Sequence, residues 1–149
     1  MMEFYSLNEI KELFKSYSPS LECPITEEEH EQFCEAIKQL PKEIVDIVNK
    51  EIYFILMSSN PSSLNAACYI DIERGIPKEK KGIVIVTPII FGYKPGLFSP
   101  GIEYILHEIA HHILGHYKYD SQTDIIEKEK TATNLASKWI AESFLRNNN

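Results

Sequence analysis

SPGIEYILHEIAHHILGH, residues 99–116, reads as one amphipathic helix with a signal at each end. Ser99 is an N-cap residue, Pro100 suits the first helical position, and Gly115 is a natural C′ residue. Projected at about 100° per residue, Ile102, Ile105, Leu106, Ile109 and Ile113 form an apolar stripe, and His107 and His111 fall roughly opposite it. Within the stretch, His107-Glu-Ile-Ala-His111 is an H-E-x-x-H motif. Spacing of i, i+4 stacks two imidazoles one turn apart, so both can face a single tetrahedral Zn²⁺ while Glu108 reaches toward its water. On an ordinary surface helix the same pair would simply face water.

The next helix weighs against that simpler reading. A polar stretch from His116 to Thr123 leads to an Asp124-x-x-Glu127 box, and the following helix ends near Arg146. Ile125, Glu129, Ala132, Ala136, Trp139 and Ile140 share one face, which places a carboxylate inside an apolar stripe. Burying it unpaired costs several kcal/mol or neutralises it, so Glu129 needs a cation or a donor network. If this helix crosses His107 and His111, Glu129 becomes the third ligand, and Ala132 and Ala136 let the helices approach closely. Glu127 projects among solvated lysines and is set aside. Two histidines and a glutamate leave one tetrahedral position open, the mark of a catalytic zinc site. Zinc brings bound water toward a pKa of about 7, and Glu108 is placed as the general base. The reaction implied is hydrolysis of an amide, foremost a peptide bond.

Upstream, Ser6 with Glu9 and Thr26 with Glu29 are capping boxes for helices over about residues 7–17 and 27–40, and Pro41 starts a third. The period then changes. Three runs rich in β-branched and aromatic residues, from Glu51 to Ser58, Cys68 to Glu73 and Gly82 to Ile90, read as strands separated by turn signals. Short connections predict antiparallel pairing, and an exposed edge would suit an extended substrate. The expected fold class is α+β, a single zincin-like domain over 1–149. It comprises a helical part (1–50), a small antiparallel sheet of about three strands (51–98) and the zinc-binding helices (99–146).

Composition bounds the function. The 149 residues carry 15 Lys plus Arg against 22 Asp plus Glu, a net charge of −7, which disfavours direct binding of nucleic acid or anionic lipid. Cys23, Cys34 and Cys68 are odd in number and lack C-x-x-C spacing, so a reducing, cytoplasmic setting is expected. No run approaches the roughly 18 apolar residues of a spanning helix, and the N-terminus lacks a signal peptide's apolar core.

The motif from His107 to His116, followed by Glu129-x-x-Ala132-x-x-Leu135-Ala136, resembles the ImmA/IrrE-type metallopeptidases and, more broadly, the small gluzincins. The match covers about residues 99–141. The resemblance implies His107, His111 and Glu129 as zinc ligands and Glu108 as general base, with a transcriptional repressor among the protein substrates. It also marks a departure: the family's usual acidic residue and Asn or Asp after the ligand glutamate are replaced by Thr131 and Thr133. His116 is read as a cap residue or a support for the ligands, with a fourth ligand or a transition-state donor as alternatives, and Tyr69, Tyr93, Tyr117 and Tyr119 are further donor candidates. His112 is expected at the surface, and Cys23 is read as a buried thiol ahead of a zinc-blocking role. Against the peptidase stand a non-proteolytic regulatory protein of a mobile element with a structural zinc, and a helical scaffold without metal.

Overall fold

A computed structural model describes residues 2–15, 27–56, 82–86 and 100–147. In chain order these form α1 (Leu7–Leu13), α2 (Glu27–Ile37), α3 (Lys42–Glu51), β1 (Ile52–Leu56), β2 (Gly82–Val86), α4 (Pro100–Ile113) and α5 (Gln122–Asn147). The expected strand from Cys68 to Glu73 and the caps at Thr26 and Ser99 lie outside the described residues.

The α+β expectation is corrected: the described chain is mostly helical, and its strands do not form a three-stranded antiparallel sheet. β1 and β2 pair in parallel, in register from Ile52 with Gly82 to Leu56 with Val86. The antiparallel expectation assumed that sequence neighbours pair across tight turns. Residues 57–81 intervene between these two strands, and a long connection is what parallel pairing requires. Glu51, expected to open the first strand, is instead the last residue of α3, and Ile52 both caps that helix and begins β1.

The N-terminal caps act as the sequence implies. Ser6 Oγ accepts from the Glu9 amide at 3.2 Å, and Glu9 Oε2 accepts from the Ser6 amide at 2.7 Å. α1 nevertheless closes at Leu13, with Phe14 as its C-cap and fully buried. Phe14, Phe33 and Phe54 meet edge to face, with centroids 5.8, 6.1 and 4.9 Å apart, and join α1, α2 and β1. This offset geometry adds about 0.5–1.5 kcal/mol per pair beyond area burial.

α4 is the hub. It contacts α5, α2 and β2, and its contact with α5 is the most extensive between helices in the described chain. Ile105, Leu106, Ile109 and Ala110 are buried, with Ile102 and Ile113 packed at the margin. From α5, Ala132, Ala136 and Trp139 are buried, whereas Ile125 at the head of the predicted stripe is exposed. Ser143, one turn beyond Trp139, is fully buried and its hydroxyl donates to Gln39 Oε1, fixing the far end of α5. Among the described residues, no helix is long and apolar enough to cross a membrane.

Candidate metal centre

α5 begins earlier than its acidic box suggested. Ser121 is the cap, its Oγ accepting from the Asp124 amide at 3.1 Å, while Asp124 Oδ2 accepts from the Asp120 amide at 3.0 Å. The amide hydrogen bond from Asp120, then Lys128, hold the Asp124 carboxyl below its ordinary range. Lys128 Nζ lies 2.9 Å from Asp124 Oδ2 and also donates to the Lys118 carbonyl, so the connector is tied to the first turns of α5.

With the helix started there, Glu129 stands over the two motif histidines. His107 Nε2 lies 2.9 Å from Glu129 Oε2, His111 Nε2 lies 3.1 Å from Glu129 Oε1, and the two Nε2 atoms are 3.0 Å apart. The side chains are 20, 12 and 47 % exposed for His107, His111 and Glu129, so the corner is shielded from below and open above.

The donor set fits a zinc ion. Ligand bonds of about 2.0–2.2 Å set a tetrahedral edge of about 3.3–3.5 Å, a few tenths longer than these separations. Three lone-pair donors gathered this closely are favourable only with a shared cation or with protons between them, and two imidazoles with one carboxylate form a standard zinc donor set.

Each imidazole is also held from behind. His107 Nδ1 lies 3.3 Å from Thr133 Oγ1, and His111 Nδ1 lies 3.1 Å from His116 Nδ1. Such contacts fix ring orientation and keep Nε2 free as the ligating atom. The His116 contact follows from the end of α4. Gly115 adopts φ 72°, its amide donates to the His112 carbonyl at 3.1 Å, and the His116 amide donates to the His111 carbonyl at 2.9 Å. This is a Schellman termination, in which the residue after the glycine packs back on the helix three positions before its end. The pair that usually makes a hydrophobic contact is here His116 on His111. Desolvation, and secondarily His111, hold the His116 imidazole below its ordinary range.

Thr133, seen in the sequence only as a departure from a family pattern, therefore touches a predicted ligand. Thr131 does not: its hydroxyl donates to the Glu127 and Lys128 carbonyls of its own helix. Glu127 is exposed, as expected, and Glu108 is exposed on α4 beside His107.

The surface placement of His112 is corrected. Its side chain is only 7 % exposed and its Nε2 lies 3.0 Å from Glu51 Oε1 at the end of α3, with the Tyr117 hydroxyl on Nδ1. Projection on one helix could not foresee the carboxylate that α3 brings there. Of the four donor tyrosines, Tyr69 and Tyr93 lie outside the described residues. Tyr117 is engaged with His112, and Tyr119 lies under Lys128, whose Nζ is 5.5 Å from the ring centroid. Sequence reasoning passed over Tyr104, which lies with Glu103 and Ile140 in a cleft of about 360 Å³ that opens beside His107 and Glu129. The i−3 and i−4 spacing of Tyr104 and Glu103 from His107 was the available signal. Cys34 is a buried core thiol pushed up to about 12 by desolvation, whereas Cys23 and Cys68 lie outside the described residues.

No family model, curated protein or solved structure matches this chain.

Proposed function

We propose that the protein is a zinc-dependent endopeptidase of the ImmA/IrrE type, of narrow specificity or latent activity. The observation that carries this reading is the convergence of His107 Nε2, His111 Nε2 and the Glu129 carboxylate, with both imidazoles held at Nδ1. Zinc held there by three protein groups supplies Lewis acidity, polarising a carbonyl and bringing water toward a pKa of about 7. Glu108 is the general base: its carboxylate takes the proton of the attacking water and returns it to the amine as the C–N bond breaks and the C–O bond forms. Thr133 and His116 keep the ligand rings in place through that cycle. The substrate is a protein or peptide, and the resemblance extends this to a transcriptional repressor. The net charge of −7 argues against direct recognition of nucleic acid, and the cysteine usage argues for a cytoplasmic setting.

Elemental analysis after purification without added metal should give one zinc per chain. Glu108→Gln should keep that zinc and abolish peptide cleavage. A biological activity that survived the substitution would instead support a binding protein whose zinc is structural, because such a site has no use for the base.

A further inference from the structure

The cleft beside the donor corner has a chemistry of its own. α4 and α5 pack antiparallel there, and the cleft runs from His107 and Glu129 toward Glu103 and Tyr104 on one side and Ala136 and Ile140 on the other. Ala136 is buried and Ile140 half-buried, which gives the cleft an apolar floor, whereas Tyr104 is 61 % exposed at its rim. The carboxylate of Glu103 stands one helical turn from His107, and no lysine or arginine is among the described residues that line the space.

We propose that this cleft is a specificity subsite for a basic side chain, arginine above lysine, on a residue adjoining the scissile bond. The proposal rests on the peptidase reading above. The four-residue step from Glu103 to His107 rises about 6 Å, close to the reach of an arginine or lysine stem. An aliphatic stem lies on Ala136 and Ile140 while the cationic head meets Glu103. A guanidinium can also fork onto that carboxylate and stack on the Tyr104 ring, which an ammonium does less well. Glu129 is committed to the metal corner, so Glu103 is the determinant.

The test uses two probes on the zinc-loaded full chain: the hydroxamates of acetyl-arginine and of acetyl-citrulline, its neutral isostere, with dissociation constants measured by calorimetry. The arginine compound should bind about fivefold more tightly. In Glu103→Gln it should fall to the affinity of the citrulline compound, and in Glu103→Lys below it. Equal affinity for the two probes in the unsubstituted protein would overturn the subsite while leaving the zinc reading standing. Failure of both probes to bind would overturn the zinc reading itself, and the subsite with it.

Discussion

The Nδ1 atoms of His111 and His116 lie 3.1 Å apart, a contact made because Gly115 turns the chain back at the end of α4. A five-residue separation would otherwise carry the two rings to different sides of a continuing helix. His116→Ala should therefore weaken zinc binding about 10- to 100-fold with helix content preserved, as should Thr133→Val, which removes the oxygen facing His107. Competition with a chromophoric chelator measures both. Asparagine at 116, which keeps a hydrogen-bonding side chain, should recover part of the loss, and a zinc affinity unchanged in both single variants would show that neither contact holds its ring.

Gly115 is itself a sensitive position. Its left-handed φ of 72° penalises any Cβ, although a methyl group there would meet nothing within 4 Å. Gly115→Ala should cost about 1 kcal/mol from backbone conformation alone. Thermal unfolding should register this as a lower Tm, and zinc affinity should fall too, since His116 follows the turn.

The Cys34 thiol, pushed up to about 12, should be nearly inert toward maleimide or Ellman-type reagents at neutral pH in the folded protein. Unfolding in urea should release fast reaction. Mass mapping of the labelled peptide separates Cys34 from the other two cysteines.

Acid should loosen both helix starts. Glu9 is held below its ordinary range by the Ser6 amide and hydroxyl, and Asp124 chiefly by the Asp120 amide. A carboxyl with a depressed folded pKa stabilises the fold above its unfolded value and loses that contribution as pH falls through the folded one. Stability should therefore decline as pH drops below about 4.5, and Glu9→Gln should flatten the part of that decline owed to α1. Urea midpoints across pH 3–6 measure the slopes.

The core prediction is larger. Phe33 is fully buried and meets both Phe14 and Phe54, so Phe33→Ala should cost about 3–5 kcal/mol. Denaturant unfolding with an unchanged m-value would tie the loss to packing.

How much was legible beforehand depended on distance along the chain. His107 and His111 sit on one helix, where a 3.6-residue period fixes which side chains share a face, and Gly115 is a turn residue just past its end. Glu129 was legible as a carboxylate in an apolar stripe needing a partner, yet its side chain is 47 % exposed, so burial was not what placed it over the histidines. The partners of Thr133 and His112 were not readable, since each depends on where a second helix lies. The pairing of β1 with β2 was misread for a related reason: alternation and β-branching identify a strand but carry no direction, and direction follows from which segments pair.

Glu129 and His107 are 22 residues apart, and the whole donor set with its supports falls within one helical hairpin, residues 107–133. Closing such a loop costs about as much as the closures that bring Phe33 to Phe14 and to Phe54, because closure entropy grows only slowly with length. Contacts this local need no part of α1, α2 or β1, so the donor corner can assemble independently of the aromatic cluster that joins those elements. Zinc present during refolding should then accelerate the process as well as stabilise its product, because the ion would be captured by a hairpin on the way to the native state.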